Sequence, residues 1–234
     1  MALPKLETPV YTLTIPSTDE EIKFRPFLVK EQKRMIMAQE SENEKEMIDA
    51  MKQLISDCTF NKVDPNKCPL FDAEFIFLQI RSKSVGESIK LKITCPDDEK
   101  TVVTKNIDIK DIGVSVFEEH TNEINITDDI SIVFDYPLLS SYTNYSQAKQ
   151  SEMAFTIIND CIREIKQGDT SYNKSDMSKK ELTDFIDNLN NEQFEKVMGF
   201  FNTMPKLRHV IEVENPKTKV KSEVELEGLR SFLV

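Results

Sequence analysis

The side chains in this chain that could do chemistry are few: two histidines, four cysteines and one acidic trio. His120 lies in the acidic stretch FEEHTNE, and His209 alternates with Leu207 and Ile211 on what reads as a packed strand face. Neither stands at a recognisable motif spacing from a nucleophile that an imidazole could activate, so the ordinary reading is one solvated and one near-core histidine. Cys58, Cys68, Cys95 and Cys161 are enough thiols for a tetrahedral zinc ion. No C-x-x-C pair preorganises them, and Cys58 and Cys161 fall on apolar helix faces, where cysteine behaves as a small hydrophobe. Asp97, Asp98 and Glu99 could offer oxygens to a hard cation, but acid at a hairpin tip is more often a solvated turn. No cofactor, metal or reaction centre follows from these residues.

The elements that would position them are organised around FDAEFIFLQIRSKSVGESIKLKITCPDD, residues 71–98. Phe75, Ile76, Phe77, Leu78 and Ile80 leave little polar face, which predicts a helix covered nearly all round. Asp72 is expected to cap its first turn, with acid at its start and Arg81 and Lys83 at its end, as the helix dipole favours. After Gly86 the period changes to two: Ile89, Leu91 and Ile93 face one way, Lys90, Lys92 and Thr94 the other. Cys95-Pro96-Asp97-Asp98 turns this strand, and Val103, Ile107 and Ile109 bring a partner back.

Similar patterns run along the rest of the chain. Val10–Ile15 and Ile22–Phe24 predict an N-terminal hairpin, and Phe27–Ser41 a lysine-rich amphipathic helix. Asn43 can cap a second helix whose apolar face is Met47, Ala50, Met51, Leu54, Ile55 and Cys58. Beyond a strand at Ile130–Phe134, a helix is expected over 148–166, then a flexible surface loop over 167–178. Ser178 with Glu181 forms a capping box, and Asn191 is expected to cap the next helix. A closing hairpin carries Leu207, His209, Ile211 and Val213, turns at Asn215-Pro216-Lys217-Thr218 and returns through Val220, Val224 and Leu226. Its layout repeats that of IKLKITCPDDEKTVV. Zinc ribbons place ligands at such tips, but here one tip offers Cys95 alone and the other offers none.

The expected fold class is therefore α+β, helices packed beside short antiparallel hairpins, two of them resembling metal-free ribbon hairpins. The 234 residues are expected to form one compact unit with weak divisions into 1–87, 88–136 and 137–234. A net charge of −11 disfavours binding to a phosphate backbone, and five glycines are too few to suggest glycine-rich phosphate loops. No stretch approaches the ~20 apolar residues of a membrane span. The start, MALPKLETPVYTL, lacks the order of a signal peptide, so cytoplasmic synthesis with reduced cysteines is expected.

Four runs resemble the baseplate hub proteins of T4-type bacteriophages: Ile22–Ser41, Cys58–Asp64, Phe71–Asp98 and Leu226–Leu233. The resemblance implies a structural or assembly role, without catalysis, in the central hub of a contractile tail. A hub-assembly chaperone absent from the finished virion is the alternative, and a metal-dependent or nucleic-acid-processing enzyme a distant one. The implied partners are other hub and tail proteins, with copies of the same chain possible among them, in the tail baseplate and, during assembly, the host cytoplasm. Exposed tips and an apolar terminus suit such contacts, which singles out Cys95, Asp97, Asp98, Pro216, Lys217, Leu229 and Phe232. The competing expectation for Leu229 and Phe232 is that they complete the chain's own core.

Overall fold

The computed structural model describes residues 6–142, 145 and 149–232. Among them run eleven strands and six helices, in small antiparallel sheets, which makes the protein α+β. Contacts gather into two units, Met1–Ser115 with Lys206–Val234, and Val116–Pro205. This grouping differs from divisions at 87 and 136. Strand β5 (Gly113–Ser115) pairs antiparallel with β10 (Lys206–Glu214), Ser115 opposite Lys206, so the second unit is inserted between two neighbouring strands of the first.

The first unit opens with the hairpin β1 (Tyr11–Thr14) and β2 (Glu21–Phe24), followed by α1 (Val29–Glu40), α2 (Glu44–Cys58) and α3 (Leu70–Val85). Asn43 caps α2 as expected, its side chain accepting the Lys45 N–H at 3.0 Å. Ala73, Ile76, Leu78 and Ile80 of α3 are wholly buried, and at ~2 kcal/mol for a buried aliphatic side chain they anchor the unit. The expected cap of α3 is corrected. Pro69 stands at its N-cap, and Asp72 lies in its first turn, where its carboxylate accepts the Ser17 N–H at 3.1 Å and the Ser17 hydroxyl. Gly86, at φ +149°, then turns the chain into β3 (Ser88–Thr94), a conformation closed to residues with a Cβ.

β3 alternates buried and exposed along its whole length and pairs with β4 (Val102–Asp108) from Ser88↔Asp108 to Thr94↔Val102. β10 pairs with β11 (Lys221–Glu227). The layout shared by these two hairpins extends to the first one. Ile15-Pro16, Cys95-Pro96 and Asn215-Pro216 each begin a turn in which the fifth residue donates its N–H to the first residue's carbonyl, at 2.9, 3.0 and 2.8 Å. Those fifth residues, Asp19, Glu99 and Lys219, sit at φ +56°, +52° and +65°. Proline presets the second position, while the left-handed fifth costs about 1 kcal/mol for a residue other than glycine. The residue two before each proline-preceding position (Leu13, Ile93, Val213) is buried in all three.

A buried ion pair joins the start of the unit. Glu31, 1% exposed, meets Arg25 at 3.1 Å and Lys30 at 3.3 Å and accepts the Leu28 N–H at 2.7 Å. Burial pushes the Glu31 carboxyl up, but Arg25 and the Leu28 amide outweigh it and hold the group below its ordinary value.

The second unit is a sheet ordered β6-β7-β8-β9 (Glu123–Asn125, Ile130–Phe134, Ile162–Gln167, Thr170–Asn173) with α4 (Gln150–Cys161), α5 (Lys179–Asp187) and α6 (Asn191–Thr203). Its core gathers Ile132, Phe134, Ile158, Cys161, Ile162, Leu182, Val197 and Phe200. Three expectations change here. The helix over 148–166 ends at Cys161, because residues 162–167 pair with β7 instead, Ile165 opposite Ile132. Ala148, its expected start, lies outside the described residues. The loop over 167–178 contains β9, which pairs with β8 across a turn at Gly168, φ +53°. Asn190, one residue before the expected Asn191, caps α6 through the Gln193 N–H at 2.9 Å, while the Ser178–Glu181 capping box of α5 stands.

Candidate functional site

The sequence-selected tips meet each other. Asp97 at the β3–β4 tip accepts two hydrogen bonds from the Asn215 side-chain amide, at 3.0 and 3.1 Å, and one from the Thr218 hydroxyl at 2.5 Å. These bonds, Thr218 first, hold the Asp97 carboxyl below its ordinary value. Asn215 is wholly buried, and its carbonyl oxygen accepts the Lys217 N–H at 2.9 Å and so closes its own turn. Asp98 turns inward on its own loop, accepting the Thr101 hydroxyl at 2.6 Å and the Thr101 and Lys100 amides at 2.9 and 3.1 Å. The Thr101 hydroxyl and these amides pull the Asp98 carboxyl far below the usual range. What the joined tips leave in solvent is Pro96, Asp97, Glu99 and Lys100 of the first and Pro216, Lys217, Thr218 and Lys219 of the second.

Three of the residues singled out as contacts are not at the surface. Cys95 is buried, since it continues the inward alternation of Ile89, Leu91 and Ile93 while its amide bonds to the Thr101 carbonyl at 2.7 Å. Leu229 and Phe232 are 3% and 0% exposed, held within the first unit. There the Leu229 N–H donates to Glu74 on α3 at 3.0 Å. The competing expectation for the terminus, completion of the chain's own core, describes this placement.

Neither histidine forms the environment expected of it in full. His209 is half-buried and lines an open cleft of about 350 Å³ with Lys105, Asp108, Asp111 and Glu212. His120 was expected in solvent. It packs instead on Tyr136 and Phe200, ring centroids 5.8 and 5.2 Å away, with its nitrogens 3.0 Å from the Thr203 hydroxyl and 3.2 Å from Tyr136 Oη. The Thr203 hydroxyl is directed at the Gly199 carbonyl, 2.8 Å away, so the imidazole does not take its proton. Burial pushes the His120 imidazole below its ordinary value. The sequence signal for this cluster was slight, since its partners lie 16, 80 and 83 positions downstream.

All four cysteines are free and buried. Burial pushes the thiols of Cys58 up to about 11 and those of Cys68 and Cys161 to about 12, which disfavours the thiolates a zinc ion would bind. Among the described residues no group of three or more His, Cys, Asp or Glu side chains gathers to hold a metal, and no helix is long and apolar enough to cross a membrane.

The polar chemistry therefore ties hairpins together. A family model described as T4 bacteriophage base plate protein matches residues 8–234. The chain belongs to that family. No curated protein and no solved structure matches it. In this base plate protein the match spans residues of both units. The buried Asn215, the Asp72–Ser17 anchor and the Glu74–Leu229 contact fix the geometry of the first unit's turns and of its last described segment.

Proposed function

We propose that this base plate protein is a structural or assembly component of the central hub of a contractile phage tail, acting through contacts with other hub and tail proteins. The observation that carries this reading is the family match across residues 8–234. Placement in the hub is supported by the resemblance of residues 22–41, 58–64, 71–98 and 226–233 to hub proteins. These runs hold β2, α1, α3, β3 and the end of β11, and so include the strand that leads into the first tip and the segment that follows β11. The contact surface is the joined tip pair, through Asp97, Pro216 and Lys217, held in shape from behind by Cys95 and Asp98, while Leu229 and Phe232 pack at the opposite end of the β10–β11 hairpin. Rigid tips suit this work, because a contact made by preordered loops loses less entropy on binding.

Quantitative mass spectrometry of purified particles, isolated baseplates and infected-cell lysates tests the role. A fixed copy number in the baseplate fraction supports the structural reading. Presence in lysates on hub intermediates, with absence from particles, supports the assembly chaperone. Absence from both overturns the hub placement.

A further inference from the structure

The first unit carries two surfaces of opposite character, one on α1 and one on the β10–β11 hairpin. Helix α1 is seated by a narrow line: Glu31 and Ala38 are buried, with Met35 half-buried between them. Its other side stands in solvent, with Val29 79%, Met37 58% and Ile36 47% exposed. Positions 29, 33, 36 and 37 share one helical stripe, which places Lys33 among these apolar side chains. Lys33 makes no ion pair among the described residues.

The outward face of β10–β11 is the reverse. Its register sets Arg208 opposite Glu227, Val210 opposite Glu225, Glu212 opposite Glu223 and Glu214 opposite Lys221. Val210, 55% exposed, is the apolar centre. Lys221 reaches diagonally to Glu212 at 3.0 Å, and Arg208 takes Glu225 at 3.1 Å and Glu227 at 3.2 Å. Glu223 is left without a cation among the described residues and directly opposite a like charge. Such a pair destabilises a hairpin, and a cation arriving from outside would relieve it.

We propose that these two faces join copies of this chain head to tail: the Val29–Lys33–Ile36–Met37 stripe of one copy lies on the Val210–Glu212–Glu223–Glu225 face of the next. Each face has an exposed apolar centre, and the unpaired Lys33 of one meets the unpaired Glu223 of the other. A contact between two different patches is heterologous, so it closes into a ring or continues as a filament according to its rotation. It requires no other tail protein, and it stands or falls apart from the hub placement.

Sedimentation velocity of the full chain, from about micromolar to about millimolar concentration, reads the association. Lys33→Glu and Glu223→Lys should each weaken it about tenfold or more. Glu223→Lys also removes the clash with Glu212, so that variant should unfold at higher urea while associating less, opposite effects that a merely structural role does not produce. The two substitutions in one chain, or an equal mixture of the two single variants, should recover association. A wild-type chain that stays monomeric throughout, single variants that associate like wild type, or a double variant and mixture that recover nothing would each overturn the proposal.

Discussion

Glu74→Gln is the substitution whose effect the structure fixes most closely. Glu74 lies on α3 where the last described segment folds back, and one of its oxygens accepts the Leu229 N–H at 3.0 Å. Burial pushes its carboxyl up to about 7 against the pull of the Leu229 amide, and the negative charge of Glu227 adds to the rise. Because the folded value lies above the unfolded one, the folded chain binds a proton between pH 4.5 and about 7 that the unfolded chain releases. Stability is therefore full below the unfolded value and declines as pH rises through the folded one. The gap from 4.5 to about 7, at about 1.4 kcal/mol per tenfold, sets a ceiling of roughly 3 kcal/mol on the loss at alkaline pH. Glutamine keeps a carbonyl for the Leu229 amide and carries no charge. Urea unfolding followed by circular dichroism should show Glu74→Gln more stable than wild type by up to ~3 kcal/mol near pH 8, with the two converging near pH 5. A gain of equal size at both pH values, or none at either, would refute a half-buried, proton-linked Glu74.

Three further outcomes follow from buried groups. Glu31→Ala leaves the Arg25 guanidinium, 12% exposed, without its carboxylate and should destabilise the chain by about 3–5 kcal/mol in urea. Since the Glu31 carboxyl is held below its ordinary value, the support it gives is present above the unfolded value of 4.5 and fades as pH falls through the folded one, so wild type and variant should converge in acid. Asn215→Ala removes the amide that reaches Asp97 and the acceptor that closes the β10–β11 tip, for a loss of ~1–3 kcal/mol and faster amide exchange at Lys217 and Thr218. Phe232→Ala should cost ~3–5 kcal/mol as a core truncation. A Phe232→Ala chain of undiminished stability that no longer assembles would show a docking anchor instead.

Local signals were legible where short-range physics decides. The period change at Gly86, the Asn43 cap and the Ser178–Glu181 box each lie within a few residues, and the structure keeps all three. Where the sequence reading went astray, a distant partner had outbid a local preference. The apolar spacing of Met153, Ile157, Ile158, Cys161 and Ile165 fits one long helix. Yet residues 162–167 pair with β7 on one side and β9 on the other, so the strand completes the four-stranded sheet, which a further turn and a half of helix would leave without its central link. Asp72 had the composition of a cap, but Ser17, 55 residues away, claims its carboxylate. Proline is the one residue all three turns share, with threonine at the fourth position of two of them, so it is their common hydrogen bond and positive φ that reveal the third copy.

The proline turns bear on the proposed contact surface, which they present without loose loops. A hairpin tip of four or five residues in solvent would lose about 1–2 kcal/mol of backbone entropy for each residue ordered on contact. Here each tip is ordered beforehand by a proline, by a 5→1 hydrogen bond and by a partner elsewhere in the first unit: Ser17 to Asp72, and Asp97 to Asn215 and Thr218. Joining the second and third tips also sets their spacing, so under the proposed tip contact a neighbour meeting Pro96 and Asp97 meets Pro216 and Lys217 in fixed register. The buried Asn215 is what makes that spacing specific, since an apolar residue of similar size would fill the space without fixing which groups face each other.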